Sequence, residues 1–378
     1  MKTYNTIIVG AGISGLACAR TLIENGEDFL VISKDVGGRI LTSHDGNVNY
    51  GAFFVCSDYY NLLKYVKLKN QIRLRDFCFH EKDKSFIFFK PKLLKYSFQF
   101  FKTLRILYEF RRNFRRLRKI TVDISQKKAI ENDKFLHDLY MQNASDFVIK
   151  NNIESGTETY LSKGLYSTTF SKIKEMNAFS FLEFILPIIT PIYRFSFEKE
   201  KMIQPFENNI KIGKVKDIIC KNKKYKIMIN KEVFQSKNIV LATQINWSKH
   251  FAGVKETNLP ISTNMLHIKG NPKKIISRKS YHLFSPLSNV QAIANLKNGT
   301  FLLYYKDKKP DISFYFNNSV ILAKKIWNPA GTINGHTLIE CNRGNNMYLI
   351  GDYNIAGLEE SYITGIYAAK QIIDSNRT

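Results

Sequence analysis

The chain lacks the features that mark a secreted, metal-stapled or membrane-spanning protein. Its five cysteines (Cys18, Cys56, Cys78, Cys220 and Cys341) are odd in number and far apart, with no CxxC pair, which argues against a disulfide framework or a thiolate metal centre. The seven histidines form no HxH or HExxH grouping, so no metal site is expected. No stretch reaches the ~20 apolar residues of a membrane span, and no apolar h-region precedes the opening MKTYNTIIVG. These absences predict a cytoplasmic protein in a reducing compartment. No linker rich in Pro, Gly or Ser and no internal repeat is visible, so domains should be interleaved rather than strung in series. Acidic residues are scarce, 32 Asp and Glu against 57 Lys and Arg, for a net charge of +25. Such an excess favours anionic partners. It also accompanies abundant Lys, Asn, Ile, Tyr and Phe, the residues of AT-rich codons, so only local clustering carries a functional reading. No recognised nucleic-acid module appears and no stacking aromatics are interleaved with the basic residues, so no nucleic-acid partner is expected.

What is present is globular: 378 residues, 44% apolar and 24% charged, more than one core usually holds. Thr6-Ile7-Ile8-Val9 is an apolar run suited to a strand buried on both faces, Leu16 to Asn25 has helical spacing ended by Gly26, and Phe29 to Ile32 is a second strand. Between strand and helix lies Gly10-Ala11-Gly12-Ile13-Ser14-Gly15, a GxGxxG string. Gly10 permits the tight turn, Gly12 lets backbone approach a pyrophosphate, and Gly15 lets helix and strand pack closely. The phosphates would sit at the helix N-terminus. The acid that usually ends the second strand and binds ribose is replaced by Ser33, followed by Lys34 and Asp35. Three readings stay open: weaker ribose binding, compensation by Asp35, or an NADP-type site with Lys34 on a 2′-phosphate.

Next comes Val36-Gly37-Gly38-Arg39-Ile40, which sets a fixed cation beside backbone N–H groups near the first phosphate loop. Asn49-Tyr50-Gly51-Ala52-Phe53-Phe54 follows, and the chain closes on MYLIGDYNIAGLEESYITGIYAAKQI. With these motifs the sequence resembles the flavin-containing amine oxidase superfamily, which includes protoporphyrinogen oxidases and phytoene desaturases. The resemblance covers residues 1–60, 205–250 and 335–378. It implies FAD held by Gly10, Ala11, Gly12, Ile13, Ser14, Gly15, Ser33, Gly38 and Arg39, with Gly51 and Ala52 beside the flavin. It further implies Val215, in KVKDI, over the adenine half. Gly351 and Asp352 would lie at the ribityl or phosphate region, and the N–H groups of Ser361 and Tyr362 would face the flavin C2 carbonyl. Glu360 and Ser361 stand where the superfamily has small residues, and SFEKEKMIQPF replaces a Gly-Gly stretch. No cysteine occupies the covalent attachment motif, so the FAD should be noncovalent.

The expected fold is α/β: a doubly wound Rossmann-like FAD domain (1–80, 205–255 and 335–378) with an inserted α+β substrate domain (81–204 and 256–334). A helix is expected near Asp58–Leu68 on the spacing of Tyr59, Leu62, Leu63 and Val66. IRLRDFCFH and SFIFF should form a hairpin about EKDK, residues 92–200 should be mainly helical, and MLHIK, TFLLYYK and SFYF should be strands. The expected function is an FAD-dependent oxidoreductase taking hydride from an amine or an unsaturated lipid-like small molecule. The alternatives are a non-redox flavoenzyme such as a sugar mutase, or an NADP-binding protein. No catalytic residue is assigned. Residues 90–119 hold eleven Lys or Arg and one acid, Glu109. Phe100, Leu104, Leu107, Phe114 and Leu117 make an apolar stripe flanked by Arg111, Arg112, Arg115, Arg116 and Arg118. That pattern suits either peripheral contact with an anionic membrane or packing on the substrate domain.

Overall fold

The computed structural model describes residues 2–43, 46–81, 84–89, 91–229 and 232–377. Its first sheet is built from the chain's two ends and its middle. It contains β1 (Lys2–Ala11), β2 (Phe29–Val36), β8 (Ile210–Ile212), β9 (Val215–Lys221), β10 (Lys224–Ile229), β11 (Glu232–Leu241) and β17 (Met347–Leu349), in the order β8-β2-β1-β11-β10-β9. The pairs β8–β2, β2–β1, β1–β11 and β11–β17 are parallel. The meander β9–β10–β11 is antiparallel and occupies the first half of β11, leaving the second half to β17. Residues Thr6 to Ala11 are all buried, as a strand covered on both faces requires. On one face lie α1 (Ile13–Glu24) and the final helix, here α4 (Leu358–Arg377). A Cβ on Gly365 would lie 2.2 Å from Ser14 O and 2.9 Å from Ala17 Cβ, so glycine sets how closely these helices cross.

The second sheet runs β16-β12-β15-β14-β13-β5-β6. Its strands are β5 (Phe77–Glu81), β6 (Lys84–Ile87), β12 (Leu259–Pro272), β13 (Tyr281–Phe284), β14 (Val290–Asn295), β15 (Thr300–Tyr305) and β16 (Phe316–Asn334). A third sheet, β3 (Val55–Cys56), β7 (Ile192–Phe197) and β4 (Val66–Ile72), lies between them in sequence. Helices fill most of 97–189, among them α2 (Ser97–Ile120) and α3 (Ala178–Ile185). Phe110 and Phe114 of α2 meet Phe179 of α3 edge-on at 5.2 and 5.6 Å.

Several local expectations change. Residues 58–68 hold only a 3-10 turn, Leu62–Tyr65, followed by β4; the apolar spacing marks separate anchor points of a loop, not one helical face. The hairpin forms between β5 and β6, while Lys82 and Asp83 of its turn lie outside the described residues, as does Lys90. SFYF is mostly a 3-10 turn, Ile312–Phe314, and the long strand begins after it at Phe316. From the N-terminal segment the first sheet takes β1 and β2, while β5 pairs with β13 in the second sheet.

Candidate functional site

The glycine string folds as its spacing requires. Gly10 has φ +111°, and a Cβ there would lie 2.4 Å from Ala242 O; a Cβ on Gly15 would lie 2.0 Å from Gly10 O. Those two glycines are demanded by the fold itself. Gly12 is different, because it has φ −75° as the N-cap of α1 and a Cβ there would meet nothing within 4 Å. Its bare face opens at the helix N-terminus, where unpaired N–H groups and the dipole favour an anion. This is a cradle that a side chain would fill, and it fits a dinucleotide pyrophosphate. Ala11, Ile13 and Ser14 flank it and are buried. Ser33 gives its hydroxyl to the main-chain oxygen of Asp35 at 2.7 Å, and Asp35, next to last in β2, is the carboxylate at the end of that strand.

The second motif is packed directly on the first. Gly37 N donates to Ala11 O at 2.8 Å, and a Cβ on Gly38 would lie 2.9 Å from Gly12 Cα. Arg39 grips Asp352 with both Nη atoms at 2.6 Å and gives Nη1 also to Ala330 O at 3.0 Å. This two-point pair ties the GGR turn to the C-terminal Gly-Asp motif. Ala52 N donates to Arg39 O at 3.0 Å, and a Cβ on Gly51 would meet that same oxygen at 2.1 Å and the Trp327 ring at 3.2 Å. Gly351 N donates to Thr364 Oγ1 at 3.0 Å. Thus Gly12, Gly38, Arg39, Gly51 and Asp352 converge. Val215 instead joins an apolar cluster that includes Val9, Ile32 and Tyr353.

The start of α4 departs from expectation. Ser361 N donates to Gly357 O at 3.1 Å inside the helix, and Tyr362 packs on Tyr65 with ring centroids 6.2 Å apart. The Ser361 N–H is therefore spent on Gly357 O, and the first turn of the helix is where unpaired N–H groups lie. That turn carries Glu359 and Glu360, both buried. Glu359 accepts from Tyr60 N, Asn61 N, Asn61 Nδ2 and Leu62 N at 2.9–3.0 Å. Glu360 meets Arg118 Nε at 2.6 Å, and Arg118 also reaches Asp58 at 3.3 Å and lies over the Phe114 ring at 4.4 Å.

Sequence reasoning missed one member of this cluster. Glu183 of α3 is half-buried beside Glu360 with its Oε2 shielded from solvent, and its pKa is raised well above its ordinary value by desolvation, then by the Glu360 charge, against the opposing Arg118. Glu183 Oε2 has no hydrogen-bond partner among the described residues. The close Arg118 contact favours the charged form of Glu360, so of the two carboxyls it is Glu183 whose protonated form is the more favoured. Burial also pushes the Cys56 thiol up to about 12, so it is a packed thiol rather than a reactive thiolate. His267 is buried, with Tyr50 OH at 3.2 Å and Thr300 Oγ1 at 2.9 Å. An open surface depression of about 700 Å³ is lined by Asn289 and residues 308–313, none of them in these motifs.

Residues 8–67 match the family model for an NAD(P)-binding Rossmann-like domain. No curated protein sequence matches the chain. Among solved structures it is similar to a putrescine oxidase double mutant, at 13% identity and TM-score 0.69 over 99% of each chain. It is similar also to cyclohexylamine oxidase from Brevibacterium oxydans IH-35A, at 12% identity and TM-score 0.67 over 99% of this chain and 100% of that one. A third likeness is to the CLA-producing fatty acid isomerase from P. acnes, at 12% identity and TM-score 0.66 over 98% of each. Residues 8–67 therefore form a Rossmann-like domain of the NAD(P)-binding type, and the chain has, over nearly its whole length, the fold of the putrescine oxidase and cyclohexylamine oxidase structures.

Proposed function

We propose that the protein is an FAD-dependent oxidoreductase that removes hydride from an amine or an unsaturated lipid-like small molecule, with the flavin held noncovalently. The observation that carries this reading is the bare Gly12 face at the α1 N-terminus, bordered by the GGR turn that Arg39 links to Asp352. FAD, when bound, supplies a two-electron acceptor for hydride. The chain's residues then have separable tasks. Gly12 and the first-turn N–H groups of α1 bind the pyrophosphate, and Gly38 and Arg39 close on it. Gly51 and Ala52 form a wall without bulk. Glu183, whose Oε2 has no partner among the described residues, holds a proton near the α4 terminus. The carboxylates of Glu359 and Glu360 offset the positive end of that helix, so it stabilises developing negative charge less than a neutral terminus would. Purified protein should be yellow and release FAD on acid precipitation; reconstituted protein that stays colourless overturns the reading.

A non-redox flavoenzyme remains the alternative, since a fatty acid isomerase shares the fold. Anaerobic mixing with a turned-over substrate separates the two: an oxidoreductase leaves the flavin bleached until an acceptor is added, whereas a non-redox enzyme ends with it oxidised.

We also propose peripheral contact with an anionic membrane through residues 90–119, by a different face from the one the apolar spacing suggests. Leu107, Phe114 and Leu117 are buried in the helical core. Arg111, Arg115 and Arg118 are directed to Asp58 at 3.6, 3.3 and 3.3 Å. Phe98, Phe101 and Tyr108 are 76, 70 and 58% exposed and share one face of α2 with exposed Arg105 and Arg112. Aromatic and basic side chains together on an exposed helix face suit the interface of acidic lipid.

A further inference from the structure

We propose that Cys78, His80 and His282 form a binding site for one zinc ion, distinct from the dinucleotide site and independent of the flavin reading. β5 and β13 are parallel, with Cys78 opposite His282 and His80 opposite Phe284. Cys78 and His80, two residues apart, project from one face of β5 beside His282. All three are buried, and their ligand atoms lie within 4.8 Å of one another.

The hydrogen bonds orient the rings for a cation. His282 Nε2 lies 3.1 Å from Lys279 O, and a carbonyl only accepts, so Nε2 carries the hydrogen and the neutral ring turns the Nδ1 lone pair inward. That lone pair faces His80 Nε2 at 2.8 Å. A ring N–H given to a backbone carbonyl, with the other nitrogen turned inward, is the usual outer-shell arrangement of a metal-binding histidine. One thiolate with two imidazoles selects a soft or borderline cation over magnesium or calcium. Tetrahedral zinc at ordinary bond lengths needs nitrogens about 3.3 Å apart and sulfur about 3.6 Å from each. The two rings must therefore part slightly and the thiol close in. The His80 ring, stacked on Phe284 at 4.5 Å and 15°, can turn in its own plane to do so.

Binding is proton-coupled and involves no electron transfer. The Cys78 Sγ–H bond breaks and its proton leaves to solvent as the Zn–S bond forms. His80 shifts its hydrogen from Nε2 to Nδ1 and binds through Nε2, and His282 keeps its Nε2–H. The ion would cross-link two strands whose ligands lie 202 residues apart, a separation that no sequence spacing rule detects.

Chelator-stripped protein titrated with Zn²⁺ by calorimetry should take up one equivalent. Co²⁺ on the wild type should give a thiolate-to-cobalt charge-transfer band with tetrahedral d–d bands. Cys78→Ser, close to isosteric, should weaken Zn²⁺ binding at least about tenfold and abolish the zinc-induced rise in Tm, while Cys220→Ser leaves both unchanged. No saturable one-equivalent uptake, a cobalt spectrum without the thiolate band, or unchanged affinity in Cys78→Ser would each overturn the site. Uptake of copper(I) but not of zinc overturns the zinc assignment.

Discussion

At the scale of single residues, the glycines of one motif divide by what each would collide with. A side chain at Gly15 meets Gly10 O at 2.0 Å, whereas one at Gly12 meets nothing of the protein within 4 Å. Gly12→Val should therefore melt close to wild type without cofactor and yet bind FAD at least about 100-fold more weakly, a steric exclusion of the pyrophosphate. Gly15→Val should fail to fold stably with or without FAD. Equal flavin affinity in Gly12→Val and wild type, read by fluorescence quenching, removes the cradle from the proposal. Glu183 offers a second test. Its folded pKa lies well above its ordinary value of about 4.5 because burial disfavours the charge. The folded state therefore binds a proton that the unfolded chain releases, and the associated stability, complete below the ordinary pKa, is lost as pH rises towards the folded one. Glu183→Gln removes that loss, so it should melt above wild type at about pH 8, with the gap shrinking towards about pH 5. A pH-independent difference in calorimetry would show that Glu183 is not held protonated.

At the scale of elements, α2 shows how one basic amphipathic helix can be spent on two tasks. Its Leu107-Phe110-Phe114-Leu117 stripe builds the helical core, and Arg118 is buried between Asp58 and Glu360, which locks the helix to the start of α4. Breaking such a buried pair by removing one partner costs about 3–5 kcal/mol, so reversing the charge of Arg118 would test folding as much as lipid binding, and Arg111 and Arg115 also lean on Asp58. The outer face is the proper target. Arg105→Glu with Arg112→Glu should reduce flotation with anionic vesicles at low salt, each basic residue contributing about 1 kcal/mol. Phe98→Ser with Phe101→Ser should reduce the binding that survives high salt. Full recovery of wild type in the unbound fraction at low salt removes the membrane contact. The loop at 58–68 is the converse case: helical spacing without a helix, because Glu359 takes the backbone N–H groups of Tyr60, Asn61 and Leu62 and holds the segment as a loop and 3-10 turn.

At the scale of the whole molecule, the candidate site is assembled from segments more than 300 residues apart, with Arg39 and Asp352 as its bridge. A ligand that spans such segments stabilises the fold by mass action. FAD in excess should raise Tm by several degrees, about 1–2 °C per kcal/mol for a chain of this size, whereas NADP⁺ should not. The reverse order, by differential scanning fluorimetry, would favour Lys34 on a 2′-phosphate over a flavin. Much of this arrangement was legible in the chain itself. A strand buried on both faces, a glycine turn and a helix of small residues are local patterns, and they specified β1, α1 and the α/β class because sterics act within a few residues. The tight turn at Gly10 and the close packing at Gly15 could likewise be read from spacing. The engagement of Arg39 by Asp352, the placement of Glu183 beside Glu360, the diversion of Arg111, Arg115 and Arg118 to Asp58 and the loss of the Ser361 N–H to Gly357 were not legible. Each depends on which distant element packs nearest. Charge pairing and desolvation are set by distances across the folded core, and only the tertiary structure decides those.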